Sequence, residues 1–211
     1  PEESIQAHTD NLLKNYEILI GLYGDKLDNS IRQALRDVCL YHDLGKMNLI
    51  FQNKIKRIPN TTGKEEIPHG YLSVGFIKMG KMKEKYDKKL IRNIITAVAK
   101  HHDRDFSFSK NKSYIKEEIK KLKGIAEGFK YKELPNICED LNISSINLIY
   151  ENELANISDS QDKIDYIILK GLLNRIDYAA SGHYQIEYKN DFLIQSLERH
   201  KMSWGKNADY N

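Results

Sequence analysis

The chain has 211 residues, 40% of them hydrophobic and 30% charged, and a formal net charge of +3. That length suits one domain over residues 1–211 with a sizeable core, and the apolar content with so small a net charge excludes intrinsic disorder. No apolar run approaches the roughly 18 residues of a membrane span, no signal-peptide h-region follows Pro1, and Cys39 and Cys138 are too few for a disulfide scaffold, so cytoplasm is the expected address.

Four prolines and twelve glycines leave long stretches free of helix breakers. Apolar residues recur at three- and four-residue spacing and no segment alternates as a strand, which predicts an all-α domain. The expected helices cover residues 4–21, 30–43, 45–56, 69–80, 87–101, 113–128, 144–157, 160–181 and 190–200. Ser30 or Asn29 is the expected N-cap of the second.

Taken in chain order, the expected buried faces carry polar residues. In the first helix Ile5, His8, Leu12, Tyr16 and Leu19 share a face; in the second, Ile31, Leu35, Val38 and His42 do, with Asp43 beside the last. His69, Leu72 and Phe76 line up on the fourth, and Ile94, Val98 and the pair His101-His102 on the fifth. Leu169, Leu173, Ile176, Asp177 and Ala180 form the stripe of the eighth. Five helices thus each aim a His or Asp at the core. Any one of these residues alone reads as a hydrogen-bonded core residue. Together they place two carboxylates and five imidazoles inside, and burying them needs a shared source of compensation. Divalent metal ions supply it, because neutral imidazole and carboxylate are their standard ligands. His183 and His200 fall outside the pattern.

Within Tyr41-His42-Asp43-Leu44-Gly45-Lys46, adjacent side chains on a helix point about 100° apart. His42 and Asp43 can therefore grip one metal only at a helix end, which Gly45 would provide as a C-cap. Lys46 then sits where its ammonium reaches an anion bound to the metal. Residues 81–123 hold 14 lysines and arginines against 6 aspartates and glutamates, a local net of +8 that suits a polyanionic partner or, alternatively, a solvated surface.

The order His8, His42-Asp43 with Lys46, His69, His101-His102, Asp177 resembles the HD-domain metal-dependent phosphohydrolase superfamily. Within it, the sequence is similar to the HD nuclease domain of the CRISPR-associated helicase-nuclease of type I systems. The bare His…His-Asp…Asp pattern is shared by many HD phosphohydrolases; His69 and the His101-His102 doublet are the more specific part. The resemblance implies an HD helical bundle with a metal site between core helices. It implies His8, His42, Asp43 and Asp177 around one metal, and Asp43 bridging to a second held by His69, His101 and His102. It implies Lys46 at the scissile phosphate and Ser181 orienting Asp177 or a phosphate. It further implies cutting of single-stranded DNA exposed by an RNA-guided surveillance complex and fed by an ATP-dependent helicase. No Gly-x-x-x-x-Gly-Lys-Ser/Thr loop occurs in these 211 residues, so that helicase is expected downstream or on a separate chain.

The chemistry is consistent with this likeness. Two metals about 3.5–4 Å apart activate water and relieve charge on phosphate oxygens, and histidine-rich ligation favours Mn, Fe, Co or Ni over Mg. The alternative is an HD-superfamily phosphohydrolase acting on nucleotides or cyclic dinucleotides, although His69-Gly70-Tyr71 is followed by Leu72 where the Gly-Tyr-Pro enzymes have Pro. A basic helical binding module with no activity leaves the inward His/Asp set unexplained.

Overall fold

The computed structural model describes residues 3–60, 63, 65–103, 112–138, 141, 143–151 and 160–188. Every regular element among them is helical: α1 (Ile5–Tyr23), α2 (Asn29–Tyr41), α3 (Leu49–Ile55), α4 (His69–Ser73), α5 (Met79–Lys85), α6 (Lys88–Ala99), α7 (Lys112–Ala126), α8 (Ser145–Glu151) and α9 (Ser160–Ser181). Short 3₁₀ turns occupy Gly24–Lys26, Leu44–Met47 and Val74–Phe76. The all-α expectation is met.

α1, α2 and α6 pack around α9. Leu12, Tyr16 and Leu19 of α1, Leu35 and Val38 of α2, and Leu169, Leu173, Ile176 and Ala180 of α9 are buried on the faces their spacing predicted. In α6 every residue from Asn93 to Ala99 is buried, so its sequence Asn-Ile-Ile-Thr-Ala-Val-Ala reads as a core segment rather than a stripe. Polar caps fix where two of these helices begin. Ser4 accepts from the Ala7 amide at 3.1 Å at the head of α1, and Asp87 accepts from the Leu90 amide at 2.8 Å at the head of α6.

Four boundaries differ from expectation. Asp28, not Ser30 or Asn29, is the N-cap of α2, without a side-chain cap bond. The expected helix 45–56 is split at Asn48, whose Oδ1 accepts from the Ile50 and Phe51 amides and so starts α3 anew. The expected helix 69–80 is split into α4, a 3₁₀ turn and α5, with Ile77 extended between them. Gly75 lies in that break, where a Cβ would meet the Ile119 side chain at 2.5 Å. Finally α6 ends at Ala99, so His101 and His102 stand on the turn that follows it rather than on the helix. The expected helix 190–200 and the end of 144–157 lie outside the described residues.

Candidate metal centre

The His-Asp pair stands where α2 stops. Helix α2 closes at Tyr41 with His42 as its C-cap, and Asp43 precedes the 3₁₀ turn Leu44–Met47. The helix end that the pair requires is present, but Gly45 does not supply it through a left-handed cap: its φ is not positive. A Cβ on Gly45 would lie 2.0 Å from the His69 carbonyl oxygen and 2.9 Å from Leu72 Cβ. Glycine is needed here because the turn presses directly on α4. Ser73 completes the joint. Its Oγ accepts from the Gly45 amide at 2.8 Å and lies 2.7 Å from the His42 carbonyl and 2.9 Å from the His69 carbonyl, either of which can take its proton.

Gly70 does the same on the other side of α4. A Cβ there would meet the carbonyl oxygens of Ala99 and Val98 at 2.4 and 2.7 Å. Helix α4 therefore lies against the end of α6 closely enough that His69 Nε2 and His101 Nε2 are 3.2 Å apart. The turn after α6 is pinned by Tyr71 Oη, which donates to Asp103 Oδ2 at 2.5 Å, and by Lys170 Nζ, which donates to the Asp103 carbonyl at 2.6 Å.

These joints bring the six other histidine and aspartate positions of the sequence pattern around Asp43. Asp43 Oδ2 lies 3.4 Å from both His8 Nε2 and His42 Nε2, and Asp43 Oδ1 lies 3.1 Å from His69 Nε2 and 3.9 Å from His101 Nε2. Asp177 Oδ1 is 3.0 Å from His8 Nε2 and 3.7 Å from His42 Nε2. Ser181, at the end of α9, has its Oγ 3.4 Å from Asp177 Oδ1. Two overlapping ligand groups result, His8-His42-Asp43 and Asp43-His69-His101-His102, the candidate ligand atoms of each lying within 4.8 Å of one another. His102 is the exposed member; the others are buried.

The imidazoles are held by their other nitrogens. His42 Nδ1 faces the Cys39 carbonyl at 3.0 Å and His101 Nδ1 faces the Val98 carbonyl at 2.7 Å. A carbonyl only accepts, so each Nδ1 carries the proton and each Nε2 presents a lone pair to the centre when the ring is neutral. His8 Nδ1 lies 3.4 Å from the Glu3 carboxylate. His42 Nε2 and Asp43 Oδ1 are buried and have no hydrogen-bond partner. Unpartnered buried acceptors converging on a shared carboxylate are what a divalent cation satisfies, so the residues present fit a metal.

The electrostatics agree. Burial works to raise the Asp43 pKa, but His42, His69 and Lys46 outweigh it and hold this carboxyl well below the usual range. Asp177 is likewise lowered, burial being overcome by His42 and His8. Burial, followed by repulsion from His42, His102 and His69, drives His101 well below the ordinary imidazole value, which favours the neutral ligand form. His42 goes the other way: burial is outweighed by the two carboxylates, and its proton affinity rises.

Lys46 Nζ lies 2.6 Å from Asp43 Oδ2. It also lines a cleft of about 330 Å³ that runs past His8 and Asp43 to Phe51, Ile55 and Ser181. Among the described residues, no basic residue of 81–123 lines this cleft; within that stretch Lys100 is buried, Lys85 pairs with Asp37 and Lys121 with Glu118. His183, set aside in the sequence, does line the cleft, and His200 lies outside the described residues. Sequence reasoning missed Glu3, Phe51, Gly70, Ser73 and the two carbonyls that orient His42 and His101. Ser73 was detectable, four residues after His69 on the same helix; the others carry no local signal.

A family model described as Cas3, HD domain matches residues 5–173. The matched span includes His8, His42, Asp43, His69, His101 and His102 and ends before Asp177 and Ser181. No curated protein and no solved structure matches the chain.

Proposed function

Since the chain belongs to the family of the Cas3 HD domain, a metal-dependent nuclease domain of type I CRISPR systems, we propose that it cuts single-stranded DNA internally, using two divalent metal ions. The observation that carries this reading is the pair of ligand groups sharing Asp43, buried except at His102, with His42 Nε2 and Asp43 Oδ1 lacking hydrogen-bond partners. His8, His42, Asp43 and Asp177 would hold one ion, and Asp43, His69, His101 and His102 the other. Bound there, Mn, Fe, Co or Ni would supply an activated water and relieve charge on the phosphate oxygens.

The chain's own groups do the rest. The Cys39 and Val98 carbonyls keep the His42 and His101 Nε2 lone pairs aimed inward. Ser181 steadies Asp177 through its 3.4 Å contact. Lys46, at the mouth of the cleft, is the group available to bind the scissile phosphate, exchanging part of its contact with Asp43 for the incoming anion. Strand delivery by an ATP-dependent helicase and an RNA-guided surveillance complex belongs to the same reading, as does a contribution of the lysine-rich residues 81–123 to strand affinity.

The test uses circular single-stranded DNA, which has no ends and so reports internal attack alone. The Mn-loaded chain is expected to linearise it, to leave intact duplex nearly untouched because a duplex is stiff over about 150 bp, and to lose the activity on Asp43→Asn. Intact circles beside hydrolysed nucleoside phosphates would replace this reading with nucleotide hydrolysis.

A further inference from the structure

Helix α3 is an anomaly for a domain with so well filled a core. None of its seven residues is buried. Leu49 is 62% exposed and Ile55 48%, and Ile58 just beyond the helix is 49% exposed. Apolar burial does not hold this helix in place; polar contacts do. Asn48 Oδ1 caps its first amides, Asn48 Nδ2 reaches Glu118 Oε2 at 3.4 Å, and Gln52 Nε2 donates to the Lys46 carbonyl at 2.7 Å. At the far end the Ile58 amide bonds back to the Asn53 carbonyl and the Arg57 amide to that of Lys54, a Schellman closure. The left-handed position of that closure, φ 56°, is filled by Arg57 rather than by the glycine that suits it best.

The chain thus spends polar contacts to fix an apolar surface beside a polar centre. Phe51 and Ile55, four residues apart and hence on one side of α3, both line the cleft that contains His8, Asp43 and Lys46. The Phe51 ring stands edge-on to that of His69, with centroids 5.2 Å apart. An apolar wall against a cation and a metal centre matches an amphipathic ligand, anionic at one end and flat and apolar at the other. An unpaired nucleotide has that form; in a duplex the base faces are already stacked and unavailable.

We propose that α3 is the base-binding wall of the cleft: Phe51, backed by Ile55, stacks on an unpaired base of the strand whose phosphate lies at Lys46, and the exposed Arg57 attracts the backbone as the strand leaves. This rests on the single-strand reading above and adds the device that selects unpaired strands, an aromatic platform interleaved with basic residues.

Binding to the metal-chelated chain, where nothing is cut, tests it by fluorescence anisotropy with two probes, a labelled oligodeoxythymidylate and its abasic counterpart of equal length. The wild-type chain is expected to favour the base-bearing strand by about tenfold, the scale of one stacked base. Phe51→Ala should abolish that preference while leaving abasic affinity, and the Mn content of a separately reconstituted sample, unchanged; Phe51→Trp should restore the preference, and Phe51→Leu should not. Arg57→Gly should weaken both probes equally while raising the unfolding midpoint, since glycine relaxes the turn. Equal wild-type affinity for the two probes, a Phe51→Ala variant that keeps the preference, or one that loses metal would each overturn the proposal. A wild-type chain that linearises circles yet shows no base preference defeats this inference alone; one that neither cuts nor binds single strands defeats the single-strand reading as well.

Discussion

At the scale of single residues, Asp43 and Lys46 sit 2.6 Å apart and should still fail differently. Asp43 belongs to both ligand groups, so Asp43→Asn should reduce bound Mn from about two ions per chain toward none and remove cleavage with it. Lys46→Ala should keep the metal and lower turnover, because its role is toward the phosphate. Elemental analysis beside single-turnover cleavage separates the two, and a Lys46→Ala chain stripped of metal would make Lys46 structural. His101 adds a pH signature. Its folded-state pKa lies below that of the unfolded chain, so between the two values the unfolded chain binds more protons and stability rises with pH. Its contribution is complete above the ordinary imidazole value near 6.5 and fades as the pH falls below it. His42, raised rather than lowered, opposes this and stays in place. His101→Gln should therefore reduce the stability that the metal-chelated chain loses between about pH 7.5 and about pH 5.5, as measured by urea denaturation. An unaltered loss would show that His101 does not titrate in that range.

At the scale of elements, the joint between the 3₁₀ turn Leu44–Met47 and α4 rests on one missing methyl. Gly45→Ala would drive a Cβ into the His69 carbonyl, a backbone atom that cannot swing aside. The variant should lose about 1–3 kcal/mol of stability and bind metal more weakly, because the shift separates Asp43 from His69. Gly171, on an exposed turn of α9 with nothing within 4 Å of its would-be Cβ, is the control. Gly171→Ala should instead stabilise by about 0.5–1 kcal/mol with metal content unaltered. Paired denaturation curves and metal titrations of the two variants check both statements, and a Gly45→Ala chain that behaves like Gly171→Ala would mean that the turn has room to move.

At the scale of the whole molecule, the candidate ligands come from α1, the end of α2, α4, the turn after α6 and α9. Ions at their meeting point would tie together segments distant in sequence, so metal should stabilise the bundle by mass action, about 2.7 kcal/mol at a hundredfold excess over Kd. For a chain of this size that corresponds to roughly 5–10 °C in the unfolding midpoint, to be read by calorimetry with and without chelator. A midpoint indifferent to chelation would mean that no ion bridges these segments in solution.

Legible from the residues alone were the helical class, the buried faces of α1, α2 and α9, and the set of histidines and aspartates that converge. The class and the faces follow from periodicity, because a side chain three or four residues from a core residue shares its face whatever the partner helix does; Asp43, His101 and His102, which lie beyond their helix ends, were legible only as members of the set. The sequence also carried the likeness to HD nucleases, through residues whose order survives any detail of packing. Where the helices break was set by packing. The spacing that merged residues 45–56 and 69–80 into single helices could not register the cap at Asn48 or the packing of Ile119 on Gly75, which arise between segments far apart in the chain. Nor could it show that Gly45 and Gly70 serve close approach, since the carbonyls they meet belong to other elements. The lysine-rich stretch is read the same way: charge is legible in one dimension, but which cation faces the cleft depends on how helices dock, and among the described residues Lys46 lines it while Lys85 and Lys121 pair with carboxylates elsewhere.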